Sequence, residues 1–285
     1  PTRRSSDLVI WLSPMYPSPN DDNGYDISDY KGIMSEFGTM NDFDQLLSSI
    51  HQRGMKLILD LVVNHTSDEH PWFIESKSSK TNAKRDWYIW ADPKPDGSEP
   101  NNWESIFNGS TWEFDESTKQ YYFHLFSKKQ PDLNWENPDV RQAVFEMMNW
   151  WFEKGIDGFR VDAITHIKKN FEAGDLPVPD GKKFAPAFDV DMNQPGIQEW
   201  LQEMKDKSLS RYDIMTVGEA NGVTPNDAEE WVGEENGKFN MIFQFEHLGL
   251  WSTGDTKFDV KSYKQVLNRW QKQLENVGWN ALFIE

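Results

Sequence analysis

Short apolar runs alternate with longer amphipathic stretches along most of the chain, and this alternation limits the available folds more than any other feature. Strand-like runs occur at 7–14, 56–65, 155–162, 212–219, 239–246 and 280–284. Apolar residues with helical spacing occur at 39–55, 138–154, 196–209, 224–236 and 262–277. Strands that alternate with helices predict repeated βα units and a mainly parallel α/β sheet.

Length and missing motifs narrow this class further. A chain of 285 residues suffices for one large α/β domain with a deep core. Neither the dinucleotide pattern GxGxxG nor the phosphate loop GxxxxGKS is present, which disfavours a nucleotide-binding doubly wound sheet. The chain opens with PTRRSS rather than with a methionine or a signal peptide, and it stops inside a predicted strand. We therefore expect a (β/α)8 TIM barrel that is truncated at both ends.

Two long connections interrupt the βα series. Residues 66–137 are rich in Trp and Asn and contain turn dipeptides, with hairpin-like alternation at 112–126. A segment of this length is too long for a simple loop, so we predict a small subdomain inserted after the third barrel strand. It would separate a first barrel part, residues 7–65, from a second part, residues 138–285. Residues 167–196 form another excursion, rich in Gly and Pro.

Composition disfavours several classes of partner. The formal net charge of -18 and the isoelectric point near 4.7 argue against binding to nucleic acid and to anionic membranes. No apolar run approaches the ~18–20 residues of a membrane span. Cysteine is absent, which removes disulfides, thiolate catalysis and Cys-based metal sites. This fits a bacterial cytoplasmic protein, although a secreted bacterial protein can lack cysteine too. We expect no cofactor and no metal.

Charged residues stand at the ends of the predicted strands. In GFRVDA, Arg160 and Asp162 are two residues apart, so on an extended strand both side chains point to the same side. In a (β/α)8 barrel the chemistry collects at the carboxyl ends of the strands. The segment 60–65, Glu219 and Glu246 also fall near such ends. The sequence therefore predicts that the charges of the GFRVDA run face a site.

Asp162 and Glu219, at the ends of neighbouring strands, could share one cleft. Two carboxyl groups about 5–5.5 Å apart suit retaining glycoside hydrolysis, in which one attacks the anomeric carbon and the other protonates the leaving oxygen. Arg160 would keep Asp162 ionised, and the small apolar neighbours in VGEA would raise the pKa of Glu219. Taken singly, the same residues also fit an ion pair that closes a barrel end and a carboxylate at a helix N-terminus.

Four short motifs occur together in one order. They are DLVVNH at 60–65, QPDLN at 130–134, GFRVDA at 158–163 and TVGEA at 216–220, and they follow WLSPMYPSPNDDNGYDISDY at 11–30. This set resembles glycoside hydrolase family 13, the α-amylase superfamily, and within it the oligo-1,6-glucosidase and exo-α-glucosidase branch. The resemblance spans nearly the whole chain and implies a barrel enzyme that hydrolyses α-glucosides.

The resemblance implies roles for the charged motif residues. Asp162 would be the nucleophile and Glu219 the acid/base of the reaction. Arg160 and His65 would bind the sugar in subsite −1, His65 through the 6-hydroxyl. Outside its motif, His65 also fits an ordinary loop histidine.

The resemblance also implies the walls of the pocket. Asp22 and Tyr25 would hold and stack on the terminal glucose, and closing that end of the pocket would make the enzyme exo-acting. Considered alone, the same two residues fit a turn cap and a core aromatic. Further wall positions would be Phe107, Phe126 and Gln130.

Parts of the family pattern differ in this chain or fall outside it. DLVVNH, GFRVDA and TVGEA resemble three of the family's four main motifs, and QPDLN resembles an extra motif of this branch. The fourth main motif, NHD, would begin near Glu285. The first barrel strand, with a loop that binds calcium in some relatives, would precede residue 7. Ala163 stands where α-1,6-specific relatives tend to carry Val, which favours α-1,4 linkages. His166 matches a substrate-contacting His of true α-amylases, without an assigned role in this branch. The remaining histidines are interpreted as structural: His51, His70, His124 and His247.

Three functional hypotheses follow. The leading one is a retaining exo-α-glucosidase that acts on the terminal α-1,4 or α-1,6 bonds of short oligosaccharides of maltose or isomaltose type, the fragment itself being inactive. A transglycosidase of the same family that isomerises sucrose would share the motifs seen here. The third is a catalytically dead homologue that serves as a partner subunit, which the presence of Asp162, Arg160 and Glu219 disfavours.

Overall fold

A computed structural model of the chain describes residues 8–250, 259–281 and 283. Three sequence predictions reach beyond these ranges: the first residue of the strand at 7–14, residues 282 and 284 of the last strand, and the NHD motif expected near Glu285. Within the described ranges, none of the helices combines the length and the apolar character that crossing a membrane requires.

The described residues form nine strands and seven α-helices. The strands are β1 Val9–Leu12, β2 Lys56–Val62, β3 Trp90–Ala91, β4 Trp112–Asp115, β5 Gln120–Phe123, β6 Gly158–Asp162, β7 Met215–Glu219, β8 Met241–Phe243 and β9 Trp279–Ala281. The helices are α1 Met40–Gln52, α2 Pro71–Ser78, α3 Pro138–Lys154, α4 Phe188–Asp191, α5 Ile197–Lys207, α6 Ala228–Val232 and α7 Val260–Gln273.

Six of these strands form one sheet in the order β1-β2-β6-β7-β8-β9. Every neighbouring pair is parallel, so the carboxyl ends of the strands meet at one edge of the sheet. The prediction of a parallel sheet with helices is confirmed. The register places Asp60 beside Arg160 and Val62 beside Asp162, which brings the charged ends of β2 and β6 together.

Capping explains why α3 begins and ends where the sequence predicted. The Asn137 side chain accepts a hydrogen bond from the backbone N–H of Asp139, and Pro138 occupies the first turn. The helix ends at Gly155, whose φ of 102° lies in the left-handed region. Its buried face consists of Val140, Val144, Phe145, Met147, Met148, Trp151 and Phe152.

Helix α6 is much shorter than the predicted stretch 224–236. The Thr224 hydroxyl donates to the Asp227 carboxylate at 2.6 Å and forms a turn ahead of the helix. At the other end Gly233 adopts an extended conformation, with ψ of 141°. The turn at Thr224–Asp227 and the extended Gly233 therefore bound a helix of five residues.

The residues between β2 and β6 carry α2 and a second sheet. This sheet is antiparallel, with the order β3-β5-β4, and β4 and β5 pair as the hairpin that the alternation at 112–126 predicted. Its apolar side chains share one cluster with residues from the excursion at 167–196. The buried members of that cluster are Trp103, Trp112, Phe123, Leu125, Ala187 and Val190.

Asp157 joins α1 and β2 to the start of β6. Its carboxylate accepts hydrogen bonds from Lys56 Nζ at 2.7 Å and from the backbone N–H of Leu57 at 2.9 Å, and it lies 2.7 Å from His51 Nε2. Burial alone raises the pKa of Asp157, but these hydrogen bonds outweigh it and hold the pKa below its usual value. The resulting stabilisation is present above the unfolded-state pKa of about 3.9 and is lost as the pH falls through the lower folded-state pKa.

We predict that Asp157→Asn lowers the free energy of unfolding by about 1–3 kcal/mol, because the amide loses its charge-assisted bonds to Lys56 and His51. Equilibrium denaturant unfolding at pH 7 measures this loss, and the difference from the wild type should shrink as the pH falls toward about 3. Asp44→Asn removes a more exposed carboxylate, which lies 2.7 Å from Lys154 Nζ, and serves as the matched control. It should change stability by less than about 1 kcal/mol, and an equal loss in both variants would contradict the prediction.

Candidate active site

The carboxyl end of β6 carries the two charges that the strand pattern singled out. Arg160 and Asp162 alternate with apolar residues on this strand, and both are buried. Gly158 allows β6 to approach β7 closely, because a Cβ atom there would lie 1.7 Å from the carbonyl oxygen of Met215. The two strands therefore deliver their carboxyl-terminal side chains to the same region.

The Arg160 guanidinium contacts three carboxyl groups. Its Nη1 donates to Asp60 Oδ1 at 2.8 Å and to Asp162 Oδ1 at 2.5 Å, and its Nη2 contacts Glu219 Oε2. Only 9% of the Arg160 side chain is exposed, so water screens these interactions weakly. One planar cation therefore holds Asp162 and Glu219 on its two terminal nitrogens.

Glu219, the last residue of β7, is a carboxyl group whose pKa is raised by its surroundings. Burial raises its pKa to about 8, the nearby charge of Asp162 adds to this effect, and the Arg160 cation opposes it. A carboxyl group with this pKa is protonated at neutral pH and is able to donate a proton. The direction of the shift is the one expected from the small apolar neighbours in VGEA.

Asp60 is the site residue that sequence reasoning left without a role. It lies on β2, is 1% exposed, and accepts hydrogen bonds from Tyr25 Oη at 3.1 Å, Trp11 Nε1 at 3.2 Å and Arg160. Burial raises its pKa to about 7, and the Arg160 cation opposes that shift. The available signal was a single acidic residue in the otherwise apolar run LILDLVV. Asp60 anchors the side chains beneath the site.

We predict that Asp60→Asn lowers kcat/KM on an aryl α-glucoside about 10- to 100-fold, because the amide replaces one of its acceptor oxygens with a donor. The side-chain volume is unchanged, so the folded state should persist. Asp157→Asn, at the other end of the adjacent strand, is the matched control and should alter stability but not KM. Wild-type kinetics in the Asp60 variant would show that Tyr25 and Arg160 do not depend on this carboxylate.

A cavity of about 200 Å³ lies at these strand ends. Seven of its lining residues are among the predicted site residues, and Ala163 completes the lining. The seven are Asp22, Tyr25, His65, Phe107, Phe126, Asp162 and Glu219. The two other predicted residues contact the lining directly, since Arg160 binds Asp162 and Gln130 binds Asp22. The structure thus brings all nine predicted residues together.

Polar contacts tie one wall of the cavity to the inserted segment. Gln130 Nε2 donates to Asp22 Oδ2 at 3.0 Å and lies 3.0 Å from His65 Nε2. His65 Nε2 also lies 3.2 Å from the carbonyl oxygen of Tyr25. Burial lowers the pKa of His65, which keeps the imidazole neutral and suits it to hydrogen bonding with uncharged hydroxyl groups.

Aromatic rings form the other wall. Phe126 lies against the His65 ring, with centroids 5.0 Å apart, and against Phe107 at 5.7 Å. Phe107 is 49% exposed, so this wall opens to solvent. The Tyr25 ring is held through its hydroxyl, which donates to Asp60. Apolar rings beside polar groups suit a ligand that has both apolar faces and hydroxyl edges.

A buried ion pair supports the base of His65. Lys169 Nζ lies 2.5 Å from Asp132 Oδ2, with both side chains at most 1% exposed, and it donates to Asn64 Oδ1 at 2.9 Å. The Asn64 amide in turn lies 3.1 Å from His65 Nδ1. Lys169 comes from the irregular excursion at 167–196, where no sequence pattern marked it.

Two residues that follow the predicted nucleophile have distinct environments. Ala163 adopts a φ of 43°, which is unusual for a residue with a Cβ atom, and it lines the cavity. His166 is buried outside the cavity lining, with Nδ1 3.1 Å from the carbonyl oxygen of Asp191 and its ring 6.2 Å from that of Phe126.

Among the described residues, no cluster of three or more His, Asp or Glu side chains is arranged to hold a metal ion.

The family model for the α-amylase catalytic domain matches residues 7–285. The chain belongs to this family. Its resemblance to glycoside hydrolase family 13 is thereby confirmed.

Curated α-amylase relatives share high sequence identity with the chain. It is 63% identical over 278 residues to the probable oligo-1,6-glucosidase 3 of Bacillus subtilis strain 168, covering 97% of this chain and 50% of that protein. It is 56% identical over 281 residues to the oligo-1,6-glucosidase of Parageobacillus thermoglucosidasius, with the same coverages. The chain therefore spans about half the length of the curated relatives it matches.

Solved structures of α-amylase-family enzymes share its fold. The trehalose-6-phosphate hydrolase of Bacillus licheniformis aligns with a TM-score of 0.89 and 48% identity, over 97% of this chain and 50% of that one. The isomaltulose synthase of Erwinia rhapontici aligns with a TM-score of 0.90 and 41% identity, again over 97% and 50%. The parallel sheet described above is thus the corresponding part of the fold in these enzymes.

Proposed function

We propose that the intact protein carrying this chain is a retaining exo-α-glucosidase that releases glucose from short α-linked oligosaccharides. Asp162 acts as the nucleophile and Glu219 as the acid/base. Because the chain spans about half the length of its curated relatives, the activity is proposed for the intact protein. The 285-residue chain alone is expected to be inactive.

One observation carries the proposal: Asp162 and Glu219 bind the two terminal nitrogens of a single guanidinium. Carboxyl groups held this closely fit the retaining arrangement of about 5–5.5 Å better than the inverting one, which needs about 6.5–9.5 Å to admit a water. The raised pKa of Glu219 supports its role as the acid, and the Arg160 cation beside Asp162 supports the nucleophile.

The cavity favours a neutral sugar unit at the end of a chain. Three of its lining side chains are carboxyl groups, Asp22, Asp162 and Glu219, and the adjacent cation, Arg160, is already paired with the last two. A phosphorylated sugar would meet mainly negative charge there. At about 200 Å³ the cavity is smaller than the ~300–1,000 Å³ of larger ligand sites, which suits one hexose. The Asp22–Gln130 contact closes its side and supports exo action.

Product analysis tests this function. The intact protein incubated with maltose, and separately with isomaltose, should release glucose, and the first product observed by NMR should be the α-anomer. If the first product is instead the β-anomer, the enzyme inverts the configuration and the retaining mechanism is wrong. Absence of glucose from both substrates would overturn the proposed function.

A sucrose-isomerising transglycosidase is the second candidate. The 41% identity and the TM-score of 0.90 with the isomaltulose synthase of Erwinia rhapontici favour it. Such an enzyme would form the same covalent intermediate but transfer glucose to fructose instead of to water. Incubation with sucrose separates the two: isomaltulose or trehalulose as the main product would support isomerisation, whereas glucose and fructose in equal amounts would support hydrolysis.

Linkage preference is expected to depend on Ala163. Its methyl group lines the cavity beside Asp162. We predict that Ala163→Val raises the ratio of kcat/KM for isomaltose to kcat/KM for maltose about 10-fold or more. The α-1,6 linkage has an additional rotatable bond, whereas the α-1,4 linkage is more rigid. The larger side chain should therefore crowd the α-1,4 linkage more. Ala163→Ser, of nearly unchanged size, is the control. An unchanged ratio in the valine variant would remove Ala163 from the determinants of linkage.

A further inference from the structure

The loop from Ser18 to Asp26 presents Asp22 and Tyr25 to the cavity. Its backbone is unusual, because three of its residues have positive φ: Asn20 at 65°, Asn23 at 48° and Gly24 at 92°. Asn and Gly tolerate this conformation, but they also adopt others. Other contacts must therefore hold the loop in this one conformation. The structure shows what those contacts are.

Asp26 is the last residue of this loop, and its side chain binds three earlier loop residues. It is 0% exposed, and its carboxylate accepts hydrogen bonds from Ser18 Oγ at 2.8 Å and from the backbone N–H groups of Asp21 at 2.9 Å and Asp22 at 3.1 Å. All three donors are neutral, and no ion pair to Asp26 occurs in the part of the chain that the structure describes. All three hydrogen bonds to the carboxylate thus come from its own loop, two from the backbone and one from the Ser18 side chain.

The loop fixed by Asp26 is fastened to the rest of the site. Asp21 Oδ2 accepts a hydrogen bond from Ser127 Oγ at 2.6 Å, and Asp22 Oδ2 accepts one from Gln130 Nε2 at 3.0 Å. The carbonyl oxygen of Asp22 accepts a hydrogen bond from the N–H of Tyr25 at 2.8 Å. Rotation of the Asp22 backbone would therefore move both cavity-lining side chains at once.

We propose that Asp26 is a positioning residue that sets the closed end of the sugar pocket, and that it does so by fixing the backbone of Asp22. This inference rests on the proposed function, in which Asp22 and Tyr25 hold the terminal glucose. The three hydrogen bonds use both oxygens of the Asp26 carboxylate, since Oδ1 accepts from Ser18 and Asp22 and Oδ2 accepts from Asp21. An aspartate suits this position because both of its side-chain oxygens are acceptors.

Asp26→Asn tests the proposal with little change in volume. The amide keeps one acceptor oxygen and turns a donor group toward a donor, so at least one of the three hydrogen bonds is lost. With p-nitrophenyl α-glucoside as the probe and the intact protein, KM should rise about 10- to 100-fold while kcat stays within about threefold. Ser18→Ala, which removes one donor and leaves the carboxylate, should give a smaller rise in KM in the same direction.

Asp29→Asn is the matched control. Asp29 is exposed and accepts a hydrogen bond from the backbone N–H of Lys31 at 2.9 Å, so the same chemical change falls three residues away without touching the cavity. Its KM should equal that of the wild type. Amide hydrogen exchange at Asp21 and Asp22 gives a readout independent of catalysis, and it should be faster in the Asp26 variant only.

The possible outcomes separate the two proposals. A wild type that neither cleaves nor binds α-glucosides overturns the proposed function, whereas exchange at Asp21 and Asp22 still reports on the loop. An active wild type with an unchanged KM in Asp26→Asn overturns the positioning role. An equal rise in KM in the Asp29 and Asp26 variants overturns it as well, since general loosening of the loop would then explain both.

Discussion

Replacing Asp162 by asparagine is expected to lower kcat of the intact protein on maltose and isomaltose by about 10⁴-fold or more, while the substrate still binds. The amide cannot form the covalent glycosyl intermediate, so binding and electrostatics alone remain to accelerate the reaction. The variant keeps the volume and one acceptor oxygen for Arg160, whose Nη1 lies 2.5 Å from Asp162 Oδ1. The folded site should therefore be retained.

Two measurements separate loss of chemistry from loss of structure. Calorimetric titration with maltose should give a Kd for Asp162→Asn within about tenfold of the wild-type KM, because subsite contacts are unchanged. Asp206→Asn, an exposed aspartate on α5 that accepts a hydrogen bond from Gln202, is the control and should retain full activity. Near-normal turnover by the Asp162 variant would refute its assignment as the nucleophile.

The elements that the sequence predicted best are those whose boundaries are set locally. Asn137, Pro138 and Gly155 act within one turn of the helix they bound, so α3 could be placed at both ends. For α6 the Thr224–Asp227 turn lies ahead of the helix and Gly233 leaves the helical conformation, and apolar spacing alone marks neither boundary. Apolar spacing therefore predicts that a helix exists but not where it begins and ends.

The candidate site divides in the same way. Arg160 and Asp162 are two residues apart on a strand, so their common orientation follows from strand geometry alone. The roles of Asp60 and Lys169 could not be predicted in this way. Asp60 contacts Arg160, 100 residues away in the sequence, and Lys169 contacts Asn64, 105 residues away. A buried ion pair becomes visible only when the chain is folded, since the spacing of its members carries no periodic signal.

Three of the nine predicted residues, Arg160, Asp162 and Glu219, come together because the parallel topology requires it. Once the strands are parallel and adjacent, their carboxyl ends meet at one edge, and any polar residue placed there faces the same space. Asp22, Phe107 and Phe126 come from loops, and their positions depend on the contacts of the inserted residues instead. Loop residues are accordingly the part of the site for which the structure adds most to the sequence.

Glu219→Gln is expected to lower kcat/KM on maltose by about 10²- to 10⁴-fold, because the amide cannot donate a proton to the leaving oxygen. The raised pKa gives this prediction a pH dependence. With burial raising the pKa to about 8, the acid is protonated at neutral pH, so wild-type activity should persist there and fall as the pH rises through about 8. That alkaline decline should be absent in the glutamine variant.

The leaving group provides the sharper test of the same residue. A glucoside whose leaving group is a good anion, such as p-nitrophenolate, needs little protonation, so its glucosylation step should lose far less rate than that of maltose in Glu219→Gln. A burst of p-nitrophenol followed by slow turnover should appear, because the same residue also activates water in the second step. Glu199→Gln, exposed on α5, controls for the loss of one carboxyl group. Equal losses on both substrates would show that Glu219 does not act as the acid.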